Sequence, residues 1–332
     1  MLSRSFFPAK DELGVFLQLL TDLRRFRIEA KEAARRAPSE AERVHLNALQ
    51  TTFKILINSF YGYLGFPLGH FNDYQVANRI TAAGRELVLA VEQELVRRGA
   101  RVMELDTDGV YFVPPPDAVE GQGDIRLLAE LASLLPPGIQ LELGGRYRAM
   151  FSYKMKNYAL LTEDGRLVVR GSSLRSRGIE RFQRDFVEEA LLLLLTGRRE
   201  EVPALHKRYL EDFAAHRLHV KSFMKTETLR DSLEAYRAKL RAGARNPSAA
   251  YELALASERR YQPGDPVSYY VTGRGARAVV NEQAKLASEW NPEDPDENVA
   301  YYQGKLAELY EKFKPFLYEE EARPTEVQGR LF

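Results

Sequence analysis

Three cations, an amide and two carboxylates fall at spacings that could assemble a phosphate-transfer site. Lys54, Asn58 and Tyr61 lie at i, i+4 and i+7. A helix would hold them in one polar stripe opposite apolar Phe53, Leu56 and Ile57. A lysine and an amide one turn apart can bind two oxygens of one phosphate chain. Arg27 and Lys31 are also i, i+4, and a helical hairpin would bring them beside Lys54. Cations converging on one groove suit a triphosphate, whose transfer is catalysed mainly by positioning and charge neutralisation. Asp106 and Asp108 flank Thr107, and carboxylates two residues apart in extended chain point to one side. Such a pair can share divalent metal ions; Mg²⁺ commonly takes one or two carboxylates together with substrate phosphates. Each spacing also has a plainer meaning: an amphipathic helix with a surface lysine, helix charges paired with Glu29 or Glu32, and an Asp-Gly hairpin turn.

The elements that must position these groups are legible as periodicities. Leu13, Phe16, Leu17, Leu20 and Leu23 recur at helical spacing and predict a helix over 11–36, broken by Pro38. Ser39 with Glu42 forms a capping-box pattern for a second helix ending near Gly62, so the two make an antiparallel hairpin. A third helix is expected over 74–98, closed by Gly99. Short strands are expected at 101–105, 110–113, 140–143, 147–153, 158–162 and 167–170, with a helix over 124–135 among them. Asp108-Gly109 and Asp164-Gly165 mark hairpin turns. The chain is mostly helical over 181–241, then gives a strand at 267–272, a helix over 299–313 and a charged tail beyond Pro315. Neither an internal repeat nor a low-complexity tract is evident. The pattern predicts an α+β fold.

At 332 residues the chain can bury a sizeable core and hold two or three domains. The absence of cysteine excludes disulfides, thiolate metal sites and cysteine nucleophiles. No signal peptide is visible, and the apolar run 190–195 is far too short to cross a bilayer, so a cytoplasmic location is expected. A net charge of +1 excludes a polycation, and nucleic-acid binding would have to come from a local patch. Basic residues crowd between Arg146 and Arg184, which fits such a patch and also a solvated basic surface.

Taken together, these motifs resemble family B DNA polymerases, closest to bacterial and archaeal members. Residues 58–65, Asn-Ser-Phe-Tyr-Gly-Tyr-Leu-Gly, match the second family motif, and Asp106-Thr-Asp-Gly109 matches the third. The spacing of Arg27, Lys31 and Lys54 is similar to that of the fingers helices in archaeal members. Lys156-Asn-Tyr158 resembles the Lys-x-Tyr segment at the primer–template, and Arg170-Gly171 with Arg175 resembles the strand and loop that follow it. Residues 267–273 and Tyr301-Tyr302 resemble thumb landmarks.

The resemblance implies a helical-hairpin fingers domain (1–62), a partial antiparallel-sheet palm (63–178), a mainly helical thumb (179–318) and a tail (319–332). It implies that Arg27, Lys31, Lys54 and Asn58 bind an incoming dNTP and that Tyr61 packs under the nascent base pair. Asp106 and Asp108 would be the catalytic ligands of a two-metal Mg²⁺ site, Asp108 the essential one. Lys156, Tyr158, Arg170 and Arg175 would contact the duplex. The last residues, with Gln328, Leu331 and Phe332 as anchors, resemble the pentapeptide by which bacterial polymerases dock the sliding clamp.

Four departures from the family pattern stand out. Glu104-Leu105 replaces the usual Tyr-Gly or Tyr-Ala, and Met155 and Asn157 stand where basic residues are common. The first motif, which supplies another metal-binding aspartate, is not found, and neither are the exonuclease and amino-terminal domains. The expectation is therefore the carboxy-terminal part of a split polymerase, acting in replication or repair at the nucleoid. It would be inactive alone and active with an amino-terminal polypeptide that supplies the missing aspartate. The alternative is a non-catalytic remnant that binds DNA and clamp.

Overall fold

A computed structural model describes residues 14–70, 72–106, 109–118, 122–174 and 178–318. They divide into two compact units at Gly144 and Gly145.

The first unit opens with the expected hairpin, α1 (Val15–Arg36) and α2 (Glu40–Leu64). Pro38 disfavours helix at the residue before it, and Ala37 leaves α1 at ψ 127°. Ser39 then accepts a hydrogen bond from the Glu42 N–H at 3.2 Å, capping α2. Phe26, Ala30 and Ala34 form an i+4 seam along α1. Both alanines are buried, and the Phe26 ring lies 5.9 Å from that of Phe53 on α2. Small residues on this seam allow close approach of the helices. Nevertheless, no residue of α2 is fully buried. The helix also passes the expected end at Gly62 and stops at Gly65.

Helix α3 (Tyr74–Arg97) is capped by Asp73, which accepts from the Val76 N–H at 2.9 Å, and it closes at Gly99 with φ 85°. Strands β1 (Arg101–Leu105) and β2 (Val110–Val113) form an antiparallel pair with a bulge between Val102 and Glu104. The Asp106 N–H donates to the Gly109 carbonyl at 2.8 Å and continues the pairing into the turn. Helix α4 (Gln122–Ala132) packs Leu127 and Leu131 against Val91 and Leu95 of α3, with Val102, Val110 and Phe112 of the strand pair alongside.

The strand expected at 140–143 does not form. Its alternation of apolar and polar residues suits a strand, but no ladder partner exists for it among the described residues. Instead Leu141 joins the α3–α4 core and Glu142 pairs with α1.

The second unit begins with β3 (Tyr147–Lys154), β4 (Asn157–Thr162) and β5 (Leu167–Arg170), antiparallel in that order. Central β4 buries Tyr158, Ala159, Leu160 and Leu161. The Asp164-Gly165 turn forms as expected, with Gly165 at φ 80°. There follow α5 (Arg181–Leu195), α6 (Val202–Ala214), α7 (Val220–Phe223), β6 (Lys225–Thr228), α8 (Leu233–Arg241) and α9 (Ala249–Ala256). The chain continues through β7 (Pro266–Val271), α10 (Val280–Gln283), β8 (Ala284–Leu286) and α11 (Val299–Phe313). Strand β7 is central in a sheet of order β6-β7-β8, so the expected lone strand near 267–272 has partners on both edges.

An aromatic core joins α5, α6, α7 and α11: Phe182, Phe186, Phe213, Phe223 and Tyr302 are each at most 1% exposed. Several of its polar neighbours are paired, although buried His206 Nε2 and one Glu180 carboxylate oxygen have no hydrogen-bond partner among the described residues. Asn298 caps α11 by accepting from the Tyr301 N–H at 3.0 Å, and it donates to the Gly275 carbonyl at 2.9 Å. The Tyr302 hydroxyl accepts from the Val271 N–H at 2.8 Å. Buried Glu297 accepts from Trp290 Nε1 at 2.9 Å and meets His216 Nδ1 at 2.7 Å. Pairing of this kind is what keeps buried polar groups from being costly.

Candidate functional site

Within the first unit, the hairpin carries all five residues expected to bind a nucleotide. Contact between Phe26 and Phe53 sets Arg27 and Lys54 one residue beyond matching points on the two helices. Lys54 is exposed and forms neither hydrogen bond nor ion pair with a described residue; the same is true of exposed Asn58. Tyr61 is 43% exposed. Arg27 is half-buried, and its Nε is withdrawn from solvent without a hydrogen-bond partner. A buried, unpaired guanidinium nitrogen is costly, and an anionic oxygen would relieve it.

Lys31 differs from the others. Its Nζ lies 2.7 and 2.9 Å from the two carboxylate oxygens of Glu142, and Arg35 adds a longer contact at 3.6 Å. Arg24 in turn donates to the Gly138 carbonyl, so three side chains of α1 hold the 138–142 segment. The sequence expectation placed Lys31 free for phosphate; nothing in the spacing pointed to a carboxylate more than a hundred residues away.

The hydrogen bond from Lys31 holds the Glu142 carboxyl below its usual 4.5. A depressed folded-state value adds stability above the unfolded carboxylate pKa, and that contribution disappears as pH falls through the folded value. The pair is exposed, so it contributes under about 1 kcal/mol. In an NMR titration the Glu142 carboxyl should have its midpoint below 4.5, and Lys31→Ala should bring it back up. An unchanged midpoint in the variant would show that another group causes the shift.

Asp106 is half-buried at the end of β1, its backbone held by Gly109. Asp108 lies outside the described residues. Glu104 on β1 is buried at 8% exposure. Among the described residues no cluster of three or more metal-ligating side chains is found. Asp106 offers a hard oxygen donor of the kind Mg²⁺ takes, an ion that relies on substrate phosphates and water for its other ligands.

In the second unit, Lys156 occupies the β3–β4 turn, exposed and left-handed at φ 61°. Tyr158 begins the buried stretch of β4 at 3% exposure, opposite exposed Arg170 on β5. Arg175, Gln328, Leu331 and Phe332 lie outside the described residues. Sequence reasoning counted Arg181 and Arg184 in a broad basic patch but did not see what they enclose. Together with Lys221 and Lys225 they line a cavity of about 300 Å³ at the start of α5. Arg181 is 3.5 Å from Asp185 and Lys225 is 3.0 Å from Glu227, while neither Arg184 nor Lys221 forms an ion pair with a described residue. Such a concave cationic surface suits a phosphodiester. The four residues come from two stretches forty positions apart, so no local signal announces them.

Comparison with known proteins adds a consistent picture. Residues 3–313 match the model of "DNA polymerase family B". The chain is 28% identical over 299 residues to a DNA polymerase of Pyrococcus glycovorans, covering 88% of this chain and 37% of that protein. It is 36% identical over 184 residues to a DNA polymerase of Archaeoglobus fulgidus, covering 54% of this chain and 23% of the relative. Among solved structures, the family B DNA polymerase of Pyrobaculum calidifontis superposes with a TM-score of 0.64 at 23% identity, over 97% of this chain and 39% of that one. The chain thus spans well under half the length of these relatives.

Proposed function

The chain belongs to DNA polymerase family B, and on that premise we propose that it supplies the dNTP-binding and part of the metal-binding machinery of template-directed DNA synthesis. The unpaired, buried Nε of Arg27, on the hairpin that also presents Lys54 and Asn58 without internal partners, carries this reading. Arg27, Lys54 and Asn58 hold the triphosphate, with Lys31 joining once Glu142 releases it. Tyr61 offers its exposed ring beneath the nascent base pair. Spreading of charge onto these cations favours departure of pyrophosphate. Asp106 and Asp108 hold Mg²⁺, which when bound stabilises charge on both the attacking and the leaving oxygen.

A further carboxylate comes from the remainder of the palm, which in this reading is a complementary amino-terminal polypeptide. Two observations favour a missing partner surface. Strands β1 and β2 form a two-stranded sheet, an arrangement that is marginal by itself. The 140–143 segment alternates like a strand yet pairs with no strand among the described residues. The second unit grips the primer–template duplex through Lys156, Arg170, Arg175 and the Arg184–Lys221 cavity, with Tyr158 as the buried footing of that surface. The residues 1–62, 63–178 and 179–318 then serve as fingers, palm and thumb. The tail docks a sliding clamp through Gln328, Leu331 and Phe332, and the enzyme works at the nucleoid in replication or repair. No described helix is long and apolar enough to cross a membrane.

The test is Mg²⁺-dependent primer extension by this chain alone and together with the polypeptide that completes the palm. Extension only by the pair is expected. Duplex binding without extension in either case would replace this reading with that of a DNA-binding remnant. Within an active pair, Lys54→Ala should raise the KM for dNTP by roughly 10- to 100-fold. That is the loss of a charge-assisted hydrogen bond of about 1.5–3 kcal/mol. An unchanged KM would remove Lys54 from the triphosphate site.

A further inference from the structure

We propose that Asn157 is a positioning residue for duplex binding: its side-chain amide ties the Lys156 turn to the chain leaving β5. The inference rests on the duplex-gripping role given to the second unit. It concerns a residue that departs from the basic side chain common at this place in the family pattern.

The geometry is specific. Asn157 opens β4, opposite Lys154 of β3, so Met155 and Lys156 form the turn between them. Lys156 adopts φ 61°, a left-handed conformation that a residue with a Cβ seldom takes without support. Asn157 Nδ2 donates to the Met155 carbonyl at 3.0 Å, bracing the turn from within. Asn157 Oδ1 accepts from the Ser173 N–H at 2.8 Å, on the segment that follows β5. The two partners fix which way the amide faces. A backbone carbonyl can only accept and a backbone N–H can only donate, so a flipped amide would lose both bonds.

Glycine completes the arrangement. Gly171 has φ 88°, and a Cβ there would stand 2.3 Å from both Asn157 Oδ1 and the Lys156 carbonyl oxygen. The chain after β5 therefore crosses directly over the turn, which only glycine permits. Beneath this crossing lies rigid footing. Tyr158 pairs in register with Arg170, and Tyr158, Ala159 and Leu160 are buried. One amide thus ties the exposed turn of Lys156 to the segment from Arg170 to Ser173, over a packed sheet.

A basic residue at position 157 would add one phosphate contact. Asparagine adds none and instead pre-orders Lys156, lowering the loss of freedom on binding. Such an effect acts through Lys156, which distinguishes it from direct contact.

The experiment measures the affinity of the full chain for a primer–template duplex over a series of salt concentrations. The variants are Asn157→Ala, Lys156→Ala and the double substitution, with melting temperature followed in parallel. Asn157→Ala should weaken binding about tenfold and flatten the dependence of log K on log salt by up to about 0.9, the share of one phosphate contact. The double variant should bind no more weakly than Lys156→Ala, because coupled residues are not additive. The Asn157→Ala melting temperature should stay close to that of the parent, since the side chain lies outside the apolar core. Additive losses in the double variant, or Asn157→Ala affinity equal to the parent's, would overturn the positioning role and leave duplex binding intact. A parent chain that does not bind duplex overturns the underlying role itself.

Discussion

Asp108→Ala should abolish Mg²⁺-dependent primer extension by the complete polymerase, lowering the rate by at least about 10³-fold. A metal ligand at a phosphoryl-transfer site supports several kcal/mol of transition-state stabilisation, and about 4 kcal/mol corresponds to that factor. The effect should fall on kcat. Duplex affinity should stay near the parent value, because the charge removed is negative and the duplex-facing cations remain. Asp106→Ala should lose less, since in the family pattern Asp106 supports Asp108. The check is single-turnover extension with the reconstituted pair, beside a duplex-binding measurement on the same preparations. Unchanged extension by Asp108→Ala would place the chemistry elsewhere.

Phe213→Ala should be the most damaging single truncation in the second unit. The side chain is 1% exposed, its ring 4.9 Å from Phe182 at 83° and 5.5 Å from Tyr302 at 6°. It therefore touches helices α5 and α11 from its place on α6. Emptying a site of this kind costs about 3–5 kcal/mol, part transfer and part cavity. With roughly 2–4 °C per kcal/mol for a unit of this size, the melting transition should fall by roughly 6–20 °C. Met155→Ala is the control: at 67% exposure it should change stability by no more than about 0.5 kcal/mol. Calorimetry of the two variants checks both values, and a Phe213→Ala shift no larger than the control's would show that α6 does not anchor this core.

Local chemistry made much of this legible in the sequence. Ser39 with Glu42, Pro38 and the apolar period announced the hairpin, and Gly99 marked the end of α3. Residues 101–105, 110–113 and 167–170 are short alternating or apolar segments that read as strands, and they are strands. The failures share one cause, dependence on distant partners. Strand β6, Lys-Thr-Glu-Thr, has no apolar face to advertise; β7 recruits it through backbone pairing, with a side-chain contact of 2.7 Å between Thr226 and Ser268. Residues 140–143 have the alternation but lack a neighbour among the described residues, and they form no strand. In the same way, motif spacing named Lys31 and Lys156 but not Glu142, and it marked Asn157 only as a departure from the basic pattern. The latter two act through atoms that only the fold brings near.

Helix α2 has a consequence for the hierarchy of motion. None of its residues is fully withdrawn from solvent, whereas Leu306 within α11 is 0% exposed. Amide hydrogens in such a thinly covered helix are released by local opening, at free energies far below that of global unfolding. Deuterium should therefore enter 40–64 long before it reaches the centre of α11. Lys54, one of the cations proposed to grip the triphosphate, rides on an element that can bend or fray at small free energy, without disturbing the α3–α4 core.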